Sequence, residues 1–188
     1  MIMRSCSAVN KLIRRELWKE SGFQFPKGRY YEDLATIPKV MTKTKKIVYL
    51  PEVYYYYLMR DGSIMHSRNF EKNYEDRTWA VDQLLEYIER ENLIETYRNE
   101  LEYLVFENTY FVPSKEIVLN DRKSEYLKKF RDYAYNKFPQ MNKNYYVQQI
   151  AGKDKILLKL LQYRMYGMMV LMSQLRRMKD RLAAVSRR

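Results

Sequence analysis

Two adjacent carboxylates, Glu32 and Asp33, are the residues of this chain best placed to do chemistry. They follow a turn, Phe25-Pro26-Lys27-Gly28-Arg29-Tyr30-Tyr31, in which Pro26 and Gly28 redirect the backbone. An apolar-periodic stretch begins directly after them at Leu34. That order puts the pair on the first turn of a helix, where free N–H groups and the helix dipole favour negative charge and keep both groups ionised. A carboxylate held there can take a proton from a bound hydroxyl, and it can equally be a plain acidic helix cap. Other chemistries are poorly served. The glycines stand alone at 22, 28, 62, 152 and 167, which leaves no glycine-rich phosphate loop. Cys6 is the one cysteine; it has no partner for an internal disulfide and reads as a small buried residue without a base beside it.

The elements that must position the pair are legible from periodicity. Ser7 to Gly22 reads as a short helix, with Leu12, Ile13, Leu17 and Trp18 at helical spacing and Gly22 at the C-cap. Leu34 to Met41 suits a second, short helix, limited by Pro38. Ile47-Val48-Tyr49-Leu50, ended by Pro51, and Glu52 to Met59, with its run of tyrosines, predict a small antiparallel strand pair. Arg60-Asp61-Gly62-Ser63 is a turn, and His66, the one histidine, follows it. From Phe70 the period becomes helical. Helices are expected over Glu71 to Arg90, over Leu93 to Phe111 with Pro113 as its stop, and over Asp121 to Phe138 before Pro139. The last element, Lys153 to about Val185, reads as one long basic helix.

The order of these signals resembles the acceptor side, the C-terminal half, of inverting nucleotide-sugar glycosyltransferases with the GT-A fold, of the family 2 type that builds bacterial surface polysaccharides. The resemblance is carried by Ser7-Ala8-Val9-Asn10-Lys11-Leu12-Ile13-Arg14-Arg15-Glu16-Leu17, by Phe25-Pro26-Lys27-Gly28 leading to Tyr31-Glu32-Asp33, by Lys46 to Leu50 with Tyr55-Tyr56-Tyr57, and by Arg60-Asp61-Gly62-Ser63-Ile64. It covers little beyond the first 70 residues. It implies that Asp33 is the catalytic base, with Glu32 orienting it or an acceptor hydroxyl. It also implies that Asn10 and Lys11 bind the donor, and that Arg60 and Ser63 approach the departing diphosphate, a role that suits a guanidinium fork and a hydroxyl. His66 is implied as a metal ligand. The complete enzyme would use Mg²⁺ or Mn²⁺ on an Asp-x-Asp motif of a nucleotide-binding half. These 188 residues contain no Asp-x-Asp, and that half is expected to lie outside them. No cofactor is expected for this chain alone, which is expected to be inactive by itself.

The fold class that follows is α+β and predominantly helical. It comprises a partial GT-A domain over 1–70, a helical region over 71–152 and a basic amphipathic helix over 153–188. Charge divides along the same lines. Lys and Arg outnumber Asp and Glu by 13 to 6 in residues 1–70 and by 10 to 2 in 153–188, whereas 71–152 carries 12 against 15. The basic ends call for an anionic partner, which could be a sugar nucleotide's diphosphate, an anionic membrane surface or a nucleic acid; the resemblance adds a glycan acceptor, and the last helix could instead dock on a partner subunit. The acidic middle interrupts any continuous basic stripe, so nucleic acid is not expected. In the last helix Lys159, Gln162, Arg164 and Gln174 cut the apolar run too short to span a bilayer. Met165 to Met172 with Arg176, Arg177, Lys179 and Arg181 could instead lie in a membrane interface. A cytoplasmic protein, peripheral on the inner face of the cell membrane, is the expectation.

Overall fold

The structure, a computed structural model, describes residues 6–58 and 69–185. Helices dominate it: α1 (Arg15–Ser21), α2 (Glu32–Thr42), α3 (Phe70–Arg90), α4 (Ile94–Phe106), α5 (Val112–Asn120), α6 (Tyr126–Lys137), α7 (Tyr145–Gln148), α8 (Gly152–Gln162) and α9 (Tyr166–Val185). They form two compact units, one to Leu104 and one from Val105. In the first unit α3 packs on α2. Leu34, Ile37 and Val40 recur on one side of α2, Val81, Leu84 and Ile88 on one side of α3, and the packed pair buries all six. Leu84→Ala should therefore lower unfolding stability by about 3 kcal/mol through lost burial and an unfilled cavity, read as a shift of the urea midpoint at constant slope.

Asn69 opens α3 by accepting a hydrogen bond from the Lys72 N–H at 3.0 Å. Ahead of α2 the chain is less regular than its periodicity predicts. The expected helix over Ser7 to Gly22 reduces to the seven residues of α1, ended by Gly22 in the left-handed conformation at φ 68°. Upstream the chain turns, with Lys11 N–H bonded to the Ala8 carbonyl, and Leu12 is 98% exposed. Pro38 sits inside α2 and is buried there.

Among the described residues the expected strand pair does not form. Residues 45–58 run without regular structure, and Val48, Tyr49, Tyr54 and Tyr56 each expose more than two thirds of their surface. The physical reason is that two strands alone bury too little to be stable. Such a pair needs a third strand or a covering layer, and among the described residues none covers this run.

In the second unit, the expected end of the helix at Pro113 is replaced by a continuous helical path. A π-turn, Glu107–Phe111, joins α4 to α5, and Pro113 sits in the first turn of α5, where its missing N–H costs nothing. The core here gathers Phe106, Ile117, Phe130, Met141 and Leu161. The expected single helix from Lys153 is two. Tyr163–Met165 separates α8 from α9, and Arg164 holds left-handed backbone at φ 56°. Among the described residues no helix is long and apolar enough to cross a membrane.

Candidate functional site

The first unit builds a site around the corner that leads into α2. Tyr31, the residue before the helix, is left-handed at φ 60°, ψ 31°, a conformation that costs a non-glycine residue on the order of 1 kcal/mol or more. It is held there from α3. The Tyr31 hydroxyl donates to Asn73 Oδ1 at 2.9 Å, and Arg77 Nε donates to the same oxygen at 2.7 Å. The Arg77 guanidinium also lies 4.3 Å from the centre of the Tyr31 ring.

A second clamp sits one turn along. Asp76 is buried on α3 and accepts from Arg29 Nη1 at 2.9 Å, from the Tyr30 N–H at 3.0 Å and from Lys72 Nζ at 2.8 Å. Burial on its own would raise this carboxyl. The bonds from Lys72, the Tyr30 amide and Arg29 outweigh it and hold Asp76 below the ordinary carboxylate range. Arg29, Tyr30 and Tyr31 are thus tied to one face of α3, and the start of α2 is placed by that tie rather than by a side-chain cap, which it lacks.

Asp33 stands in the first turn of α2, half-buried, with Oδ1 accepting the Leu34 N–H at 2.8 Å. Its pKa is raised: burial is the main cause and neighbouring Glu32 adds to it, against the lowering effects of the Leu34 amide and of Lys11. At Asp33 burial outweighs the stabilising Leu34 amide of the helix start. The consequence is chemical. A carboxylate whose pKa is raised by burial is a stronger base than one stabilised at a solvent-exposed cap.

Lys11 approaches from the loop before α1. Its Nζ donates to the Ser7 carbonyl at 2.7 Å and to Asn10 Oδ1 at 2.8 Å. Burial lowers the ammonium below its usual range, while the charges of Cys6 and Asp33 pull the other way. Asn10 and Lys11, on the loop before α1, therefore share one neighbourhood with Asp33 at the head of α2. Cys6 is half-buried beside that ammonium, a neighbour the linear sequence did not suggest.

No family profile, curated protein or solved structure matches the chain.

Glu32 is exposed at the head of α2, free to meet a second molecule while its charge acts on Asp33. Arg60, Ser63 and His66 lie outside the described residues. Among the described residues no group of three or more His, Cys, Asp or Glu side chains gathers to hold a metal. Sequence reasoning missed Tyr31, Asn73 and Asp76. The one signal available was the Lys72–Asp76 spacing of four on a helical stretch, which is common on solvated faces and points nowhere by itself.

Proposed function

We propose that residues 1–70 are the acceptor side of an inverting GT-A glycosyltransferase of surface-polysaccharide synthesis, with Asp33 as general base. The observation that carries this reading is the half-buried Asp33 with its raised pKa, set at a helix start behind a strained Tyr31 and within reach of the Lys11 charge. In the complete enzyme Asp33 takes the proton of an acceptor sugar hydroxyl. The oxygen attacks the anomeric carbon, the bond to the nucleoside diphosphate breaks, and the configuration inverts. Asn10 and Lys11 present an amide and a cation to the donor, and Arg60 and Ser63 complete the anion-binding side. Glu32 orients the acceptor. A metal, when bound by the nucleotide-binding half, supplies charge neutralisation on the diphosphate.

The uncovered run from Ile47 to Leu58 supports a half-domain. Two strand-forming segments rich in tyrosine and valine stand in solvent where a neighbouring sheet would cover them. The 188-residue chain alone should accordingly show no turnover of a nucleotide sugar with Mg²⁺ or Mn²⁺; measurable transfer would overturn the half-domain reading. The reading as a whole is tested on the protein as its native cell makes it. An intact mass above 23.1 kDa by about a hundred residues, together with nucleotide-sugar-dependent glycan extension, is the expected result. A native mass matching these 188 residues, with no partner restoring transfer, would refute it.

One observation favours a second, non-catalytic reading for the chain's end. Met168, Leu171, Leu175, Met178 and Leu182 repeat at spacings of three and four along α9 and are 45–70% exposed, flanked by Arg176, Arg177 and Lys179. An apolar stripe with basic flanks suits the cytoplasmic surface of an anionic membrane, and self-pairing would crowd like charges.

A further inference from the structure

The second unit carries a cleft that neither reading uses. The loop from Asp121 to Glu125, between α5 and α6, faces the turn between α8 and α9 across a space of about 340 Å³. Five cationic side chains line it: Arg122, Lys123, Lys128, Arg131 and Arg164. Ser124 and Tyr166 add hydroxyls, and no carboxylate is among the lining residues, although Arg131 also meets Asp132 at 2.9 Å from outside. Four of the five are exposed and Arg131 is half-buried, so the cleft presents a concentrated positive field to solvent that would draw an anion.

Two backbone features converge on the same place. Arg164 is left-handed because it closes α8, with its N–H on the Leu161 carbonyl and the Met165 N–H on the Leu160 carbonyl, and that turn sets its side chain at the cleft. The π-turn brings buried Tyr110 near enough to Arg131, Arg164 and Tyr166 for its hydroxyl to respond to them; burial raises this phenol, and the two arginines oppose the rise. The ligand class follows from the donors. Guanidinium forks match the oxygens of a phosphate two at a time, and five cations call for an anion with more than one charge. The volume accepts a phosphate together with part of the group it esterifies.

We propose that this cleft binds a multiply charged phosphate group, either the headgroup of a lipid or a soluble phosphate. The site lies wholly in residues 105–185 and stands or falls independently of Asp33 and of the reading of residues 1–70.

The test uses the full chain, with Arg131→Gln and Arg164→Gly combined. Glycine relieves the backbone at 164, so the variant should keep its fold, checked by circular dichroism and thermal unfolding. One arm titrates inorganic pyrophosphate by calorimetry. The other measures co-sedimentation with phosphatidylcholine vesicles containing phosphatidic acid, against phosphatidylserine vesicles of matched surface charge. Binding of pyrophosphate, or a preference for phosphatidic acid over phosphatidylserine, weakened roughly tenfold or more in the folded double variant, is the expected result, and the arm that responds identifies the source. The proposal is overturned if neither probe binds so, or if the double variant binds as tightly as the wild type. Equal losses on both kinds of vesicle, with no pyrophosphate binding, would also overturn it, since they would show surface charge alone. Lys179→Gln on α9 should leave pyrophosphate binding unchanged.

Discussion

Asp33→Asn in the complete enzyme should lower kcat by about 10²- to 10⁴-fold, the usual worth of a positioned general base, with little change in KM. The amide has nearly the shape of the carboxylate, and its oxygen can still accept the Leu34 N–H, so α2 should begin where it does now. What disappears is the ability to take a proton. The pH profile carries a second readout. As the proposed base, Asp33 would work only when ionised, and its pKa is raised, so the acid limb of kcat/KM should fall at a pH above the ordinary aspartate value near 4. Lys11→Met removes a charge that favours ionised Asp33, so it should move that limb higher still. A profile unaltered by Lys11→Met, or an Asp33→Asn enzyme with full activity, would remove Asp33 from the mechanism.

Asp76→Ala is expected to cost about 3 kcal/mol of stability, as much as emptying the α2–α3 core at Leu84. Three donors converge on that carboxylate, and hydrogen bonds to a charged group contribute about 1.5–3 kcal/mol each. The total is held down because Arg29 and Lys72 are 42% and 36% exposed and regain water when the carboxylate is lost. The pH dependence has a definite sign. Asp76 has a lower pKa folded than unfolded, so its contribution is complete above about pH 4 and is lost as the pH falls through the folded value. Urea midpoints measured from pH 7 downward should therefore decline in acid for the wild type. In Asp76→Asn that part of the decline should be absent and the neutral-pH midpoint already lower. Because the same carboxylate ties Arg29 and Tyr30 to α3, amide exchange should accelerate in residues 29–33 before it does in the α2–α3 core.

Much of the helical framework was legible because burial and periodicity agree. Val81, Leu84 and Ile88 in α3, and Leu127, Phe130 and Ala134 in α6, sit at helical spacing and are buried. The reading failed where apolar residues lack something to pack on. Leu12 has the right spacing for a helix from Ser7, yet it faces water and the chain turns before α1. The runs around Val48 and Tyr55 have strand composition but no neighbouring strand, and strand formation is a property of the pair. The break at Arg164 carries no glycine or proline to announce it. The corner at Glu32-Asp33 was found from Pro26, Gly28 and the following apolar residues. What sets its chemistry, the tie to Asp76 and Asn73 more than 40 residues on, has no local signature at all.

The uncovered stretch from Ile47 to Leu58 has a practical consequence for anyone who purifies these residues. Its amides and side chains form a ready template for strand pairing between molecules, and Lys45 and Lys46 are the charges nearest to oppose that pairing at its start. Within Ile47 to Leu58 there is one charge, Glu52, and one proline, Pro51. Solubility should therefore be limited by this segment. A concentrated sample should cloud sooner at high salt, where the repulsion due to the net charge of +12 is screened, than at low salt.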